Sequence, residues 1–428
     1  MNRFVPARRE GGAVILTVAM TLLFLLGFMG IALDFGRLFI VKTELQTAMD
    51  SCALAAAREL DGQADALTRA TSAGITAGNL NRVDLQSASW RGKGQITDAD
   101  IIFRNSAYNP TTSAANARYV QCSHTQPGVQ MFLLHAMNAF FNQGATTPST
   151  QNVLALAVAR RAPGQSACPL PVGLRPKGSG TAPNYGFTPG EWVTLITNQN
   201  TFAGGEIGWV NLDGSNSASG TINQMNGYCG VTVDDNLGTP GVQTAVADVW
   251  NSRFGIYKNN ITLSLSDPNS LPDFTGYSYT IKNWPNGRNA YNGPPGPLAP
   301  AGAENFVTKR QAYASCADTG TRVRGANSCE SITGLSLNSF QKLATPGATA
   351  TDGHKVFGSN RRIVTVPVIS DASKVLGFAC MLMLQPFSIP QTDVQLEYIG
   401  NANEEGSPCT SSGYAGGAVG PLVPVLVQ

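Results

Sequence analysis

Residues 11–62 read GGAVILTVAMTLLFLLGFMGIALDFGRLFIVKTELQTAMDSCALAAARELDG. From Ala13 to Leu33 there are 21 residues without a charge. As a helix they reach about 31 Å, enough to cross a hydrocarbon core of roughly 30 Å. A secretory leader has a shorter apolar core and ends in a small-x-small cut site. Here no Ala-x-Ala follows; Asp34, Arg37 and Lys42 come instead, in sequence that stays compatible with helix. The stretch reads as an uncleaved anchor spanning residues 13–33, in preference to a cleaved leader or a buried core helix. Arg3, Arg8 and Arg9 precede it and Arg37 and Lys42 follow, a bias that favours a cytoplasmic N-terminus.

The helical pattern continues beyond the apolar run. Leu38, Val41, Leu45, Ala48, Cys52 and Ala55 recur at alternating steps of three and four, the spacing of one helix face. One continuous helix over about residues 12–60 is expected, with Gly62 as its stop. The stripe is a seam for self-association or the face covered by the chain's own sheet. In the second case a Cys52–Cys122 bond would tie helix to sheet.

The chain has 428 residues, enough for two or three domains, and a net charge of +2. That balance gives no electrostatic case for nucleic acid. Charged residues are only 13% while Gly (46) and Pro (25) are abundant, a surface solubilised by neutral polar groups. Eight cysteines, Cys52, Cys122, Cys168, Cys229, Cys316, Cys329, Cys380 and Cys409, include no CxxC spacing. They suit disulfides in an oxidising compartment better than zinc. The pairs proposed from loop closure are Cys316–Cys329, Cys380–Cys409 and Cys168–Cys229, with buried free thiols as the alternative.

A short helix is expected near residues 65–80, then strands in DADIIFRNS (98–106) and ARYVQCSH (117–124). VQMFLLHAMNAFF (129–141) has helical spacing; VLALAVARRA (153–162) is a strand or a short helix. Clustered Pro, Gly and Cys put a boundary near residue 162. Strand signals then dominate: EWVTLIT, EIGWVNL, CGVTV, SYTIKNW, RRIVTVPVIS, KVLGFACMLML, VQLEYIG and LVPVLVQ. Thr239 and Pro240 open a predicted helix in which Val242, Val246, Val249 and Trp250 share a face. PNGRNAYNGPPGPLAPAGA (285–303) reads as a surface loop or linker. The expected class is α+β. A transmembrane span (13–33) continues into an exported helix (to 62) packed on the sheet of an α+β region (63–162), followed by a disulfide-stapled β-rich domain (163–428).

The N-terminal segment resembles the TadE/TadG-like proteins of the Tad (tight adherence, Flp pilus) system over about residues 8–62. The similarity rests on Arg8, Arg9 and Gly11, the span, Asp34 with Gly36 and Arg37, Glu44-Leu45-Gln46, and the run from Asp50 to Ala57. The resemblance implies a bacterial inner-membrane protein with one anchor and a periplasmic domain, and makes the exported helix with its α+β region (63–162) pilin-like. It also implies partners among other Tad, pilus-assembly or pilin-like proteins. Asp34 and Arg37 would mark the membrane boundary. Pilins carry a processing Glu five residues into the apolar run; counting from Gly11 that position is Leu16, and Glu10 lies on the wrong side. A permanent anchor is therefore expected, with a minor pilin or tip adhesin as the second reading and an anchored periplasmic enzyme as the third.

Chemistry is sparse. Larger TadG-type proteins can carry a von Willebrand factor A-type domain, and Asp213, Ser215 and Ser217 match its Asp-x-Ser-x-Ser pattern for Mg2+. In a Ser/Asn/Gly-rich chain a polar turn is the better reading. Asp234 and Asp235 alternate across a strand. His124, His135 and His354 have no nucleophile signature beside them, and no GxSxG, HExxH or Walker motif is present. No enzyme activity and no cofactor are expected.

Overall fold

A computed structural model describes residues 11–133, 148–198, 201–241, 246–258, 270–312, 323, 328–340, 342–343, 354, 358–410, 415, 417 and 420–427. The predicted helix at 129–141 lies largely outside these residues, as do His135, Val242 and Cys316. The chain divides into two compact units.

The first unit holds the chain up to Glu59, Leu67–Arg160 and the C-terminal end from Leu426. Helix α1 runs unbroken from Gly11 to Arg58, 48 residues. Nothing in the sequence interrupts it: there is no Pro, and the segment after the span is rich in Ala. It stops four residues short of Gly62, which takes the left-handed φ of +76° in the following turn. Helix α2 spans Ala66–Asn79. Strands β1 (Ile101–Arg104), β2 (Tyr119–Gln130) and β3 (Thr150–Pro163) form an antiparallel meander. Its register places Ile101 opposite Cys122 and Cys122 opposite Ala157. VLALAVARRA is thus a strand. Leu426 and Val427 return to this unit, and the Val427 N–H donates to the Val158 carbonyl at 2.8 Å.

The helical stripe meets this sheet. Val41, Leu45, Ala48 and Cys52 are fully buried, as are Val120, Cys122, Ala155 and Ala157 of the sheet; α1 packs on β2, and Cys52 is bonded to Cys122. Most of these side chains are small, which permits close approach. Helix α2 comes closest at Gly74 and Gly78: a Cβ on Gly74 would lie 3.2 Å from both the Ala56 Cβ and the Cys52 Sγ. A Cβ on Gly78 would lie 3.2 Å from the Ala48 carbonyl and 2.3 Å from Ile96. The Gly-x-x-x-Gly spacing puts both on one face of α2.

The second unit comprises Leu60–Ala66 and Arg161–Val425. Its centre is a closed six-stranded barrel of β4 (Val172–Leu174), β5 (Trp192–Leu195), β6 (Ile207–Trp209), β9 (Ile363–Ile369), β10 (Val375–Met383) and β11 (Val394–Asn401). The order is β10-β11-β5-β6-β4-β9. Pairs β4–β9 and β5–β6 are parallel, the rest antiparallel. Closure leaves no free edge. The remaining strands are the short pair β7 (Ile256–Tyr257) and β8 (Lys342–Leu343), and β12 (Leu422–Leu426). Short helices α3 (Ala218–Met225), α4 (Ala247–Ser252), α5 (Phe306–Ala312) and α6 (Cys329–Thr333) fill the connections.

The barrel core joins Leu174, Leu195, Ile207, Val366 and Met381 to the rings of Trp209, Trp250 and Phe387. The buried Arg362 guanidinium lies between the faces of Phe254 and Phe306, 4.5 and 4.9 Å from their centroids. It donates to the Tyr277 carbonyl at 2.6 Å, so the charge is desolvated but not without partners.

Two predicted strands are not strands. SYTIKNW is coil and turn, buried except at Ile281 and Lys282: the Asn283 side chain accepts from the Thr280 N–H (2.7 Å) and donates to the Ser278 carbonyl (2.6 Å). That local pairing competes with a ladder. CGVTV keeps a single bridge, Ala167 with Val231. The helix expected from Thr239 is described only from Ala247 to Ser252.

Candidate functional site

Beyond the apolar run, α1 carries a series of polar side chains that bind other parts of the first unit. Asp34 follows the apolar run directly, yet it is 3% exposed. Its carboxylate accepts the main-chain N–H groups of Phe132 (3.2 Å) and Leu133 (2.9 Å) just beyond β2. One turn earlier, a Cβ on Gly30 would stand 3.0 Å from the Leu133 Cβ. The bare Gly30 lets Leu133 lie against the helix. Asp34 binds the chain there through charge-assisted hydrogen bonds.

Arg37 turns to another partner. Its guanidinium is 3.8 Å from the fully buried Asp84 carboxylate, with the Phe132 ring 5.1 Å away. Asp84 also faces Lys93 (3.1 Å) and Arg91 (3.8 Å). Lys93 donates on to the Gly128 carbonyl at the β2 bulge (2.6 Å).

Glu44 engages the next turn along. Asp84, Leu85 and Gln86 all take left-handed φ values, 62°, 62° and 60°. Consecutive residues in that region turn their N–H groups to one side. The Glu44 carboxylate fills that concavity, accepting from the N–H groups of Leu85 (2.9 Å) and Gln86 (3.1 Å) and from the Gln86 side chain (2.8 Å). Two residues before it, Lys42 donates to the Leu154 carbonyl. Gln46 donates to the Leu156 carbonyl and to Asp50, both at 2.8 Å. The Cys52–Cys122 disulfide closes the series.

Of the predicted helix residues, Val41, Leu45, Ala48 and Cys52 are fully buried and Leu38 partly. The stripe is occupied by the chain's own sheet. Cys168–Cys229 and Cys380–Cys409 are bonded in the second unit. Cys329 is also disulfide-bonded; Cys316 lies outside the described residues.

Asp213, Ser215 and Ser217 lie in the turn after β6. Asp213 accepts from the Ser215 N–H (3.0 Å), Ser215 Oγ from Asn211 (3.1 Å), and Ser217 Oγ pairs with Ser219 (2.9 Å). Hydrogen bonds to Asp213 from the Ser215 side chain and main chain, with a smaller one from Gln224, hold its carboxyl below its usual range. Among the described residues no three His, Cys, Asp or Glu side chains gather closely enough to hold a metal ion. His124 contacts Asp100 at 3.1 Å and packs edge-on to Trp90; His354 faces the Phe254 carbonyl at 3.2 Å.

The second unit has a polar cavity of about 240 Å³, lined among others by Gln63, Tyr291, Glu397, Asn401, Glu404 and Ser407. Glu397 projects from β11 and is 1% exposed. It accepts from the Trp192 indole N–H (2.9 Å) and the main-chain N–H groups of Ala290 (2.5 Å) and Tyr291 (3.0 Å). Burial pushes its carboxyl up to about 7, against the pull of those donors. The Pro/Gly-rich 285–303 stretch is therefore fastened to the barrel at Ala290 and Tyr291, both buried, while Leu298 is exposed. The rest of the stretch forms no helix or strand and has no other buried residue, so it remains a surface loop anchored at two points.

Sequence reasoning singled out Asp34, Arg37 and Glu44 but not their partners. Asp84, the Gly30–Leu133 contact and Glu397 were missed. A Leu between Asp84 and Gln86 gives no sign of left-handed backbone.

Together these features define a chain whose long apolar helix meets the length and composition of a membrane span and is held, beyond its apolar run, by the sheet of the first unit. Residues 11–59 match the family model described as putative Flp pilus-assembly TadE/G-like. The match covers α1 with Asp34, Arg37, Glu44, Gln46 and Cys52. No curated protein and no solved structure matches the chain.

Proposed function

We propose that this chain is a non-enzymatic, inner-membrane-anchored component of Tad-type (Flp) pilus assembly, working by protein–protein contact. The observation that carries this reading is that the Tad-family match coincides with α1. On this reading the N-terminus is cytoplasmic and both units are periplasmic. The Arg3, Arg8 and Arg9 cluster before the span and the disulfides after it support that orientation. Its partners are other pilus-assembly or pilin-like proteins.

A second reading is a minor pilin or adhesin carried out with the fibre. The observation favouring it is that the half of α1 after the apolar run lies on an antiparallel sheet, which would suit a fibre subunit. Shearing piliated cells and blotting a C-terminal tag in fibre and membrane fractions separates the two. Tag confined to the inner membrane is the expected result. Tag in sheared fibres would replace the assembly reading with the fibre reading.

A further inference from the structure

The outer surface of α1 stays apolar beyond the charge-free run. Asp34 is buried in its bonds to Phe132 and Leu133, and Arg37 is covered by the Phe132 ring and directed at Asp84. The side chains left facing outward over the next two turns are Phe35, Phe39 (69% exposed) and Ile40 (50%). Lys42 is the first outward-facing charge after the span. The apolar exterior thus runs from Val14 to Ile40, 27 residues. That is about 40 Å of helix. A hydrocarbon core takes about 30 Å, and the whole bilayer with its interfaces about 40–45 Å.

A second element joins this surface. Phe132 is 59% exposed and Leu133 39%. Leu133 lies against Gly30, four residues, or about 6 Å, inward of Asp34. Residues of the folded unit therefore reach the depth of the apolar run.

We propose that Phe35, Phe39, Ile40, Phe132 and Leu133 form a collar seated in the outer interface of the lipid bilayer, so that the first unit rests on the membrane instead of standing off on a bare helix. The inference rests on α1 spanning the membrane. Lipid is chosen as occupant because the collar is continuous with the span and carries no outward charge. Phe and Leu are among the side chains that helices bury at the boundary between head groups and acyl chains. The carboxylate and the guanidinium nearest the lipid are both withdrawn into the protein.

The test uses the full chain in vesicles of phosphatidylethanolamine and phosphatidylglycerol, part of the lipid brominated either near the head group or near the acyl end. Tryptophan is introduced by Phe132→Trp, Phe39→Trp and, as a span control, Met20→Trp; emission is compared with the parent chain. The expected result is loss of the added emission at positions 39 and 132 with head-group-proximal bromine, and at position 20 with acyl-end bromine. If position 20 is quenched but position 132 responds only to aqueous iodide, the unit stands clear of lipid; the collar is overturned and the anchor survives. If position 132 is shielded from bromine and iodide alike, protein covers it, a second copy or a pilus component, and the collar is again overturned. If position 20 is not quenched, the anchor fails and takes the collar with it.

Discussion

The Asp34 carboxylate accepts the main-chain N–H of Leu133 at 2.9 Å, across 99 residues of sequence. It accepts Phe132 as well, so one side chain at the end of the apolar run fixes the exit of β2. Hydrogen bonds to charged groups contribute about 1.5–3 kcal/mol each. Asp34→Ala should lose both bonds and speed amide exchange at Phe132 and Leu133 on the order of 100-fold. Asp34→Asn, keeping one acceptor, should fall between. Hydrogen–deuterium exchange of the full chain in lipid nanodiscs reads this; unchanged protection in Asp34→Ala would remove Asp34 from the role given to it.

Gly30 should show a steric series. With Leu133 only 3.0 Å from the position of a Cβ, Gly30→Ala requires a shift of a few tenths of an ångström. Gly30→Leu cannot be accommodated without moving the chain at Leu133. Exchange at Leu133 is expected to rise modestly in the first variant and strongly in the second, although Leu suits a lipid-facing helix better than Gly. Equal exchange in both would show that the close approach is not needed.

Glu44 holds a turn whose backbone is costly. A left-handed non-glycine residue costs roughly 1–2 kcal/mol, and Asp84, Leu85 and Gln86 adopt that region in succession. Glu44→Ala should release the turn and expose residues 84–87 to limited proteolysis. Adding Leu85→Gly, which removes one strained residue, should restore part of the resistance. A turn as resistant in Glu44→Ala as in the parent would leave the strain held by Asp84 and its cations alone.

Glu397 predicts a pH slope in the second unit. Its folded carboxyl lies at about 7 against 4.5 for an ordinary one, because burial disfavours the charge. Between those values the folded state holds a proton that the unfolded chain releases. Stability from this group is therefore full below about pH 4.5 and declines as pH rises towards 7. The decline amounts to about 3 kcal/mol. Glu397→Gln, neutral throughout, should flatten the slope. Urea melts followed by tryptophan emission across that range test it; equal slopes in parent and variant would contradict the assignment.

The sequence exposed the long helix because its signal is dense: an unbroken run from Gly11 to Arg58 with no Pro, then a stripe every three or four residues. Strands β9, β10 and β11 were legible for a similar reason, since RRIVTVPVIS, KVLGFACMLML and VQLEYIG are rich in β-branched or apolar residues. Barrel closure was not legible. It depends on pairings such as Leu174 with Val368 and Leu195 with Ile207, which no local pattern encodes. SYTIKNW misled because a buried aromatic coil has strand-like composition, while one Asn supplies the hydrogen bonds that a neighbouring strand would have made. Asp34 and Arg37 were visible as boundary residues. Their separate partners, the N–H groups after β2 and the Asp84 carboxylate, lie at sequence distances where spacing carries no information.

The central claim is that the helix matching the Tad family is docked, beyond its span, on the chain's own sheet. Non-reducing peptide mapping of the full chain purified from membranes tests this most directly. The account predicts a linked peptide pair containing Cys52 and Cys122 from one chain, and a monomer on a non-reducing gel. Cys52 linked to Cys52 of a second copy, or a free Cys52 thiol in the native protein, would contradict it.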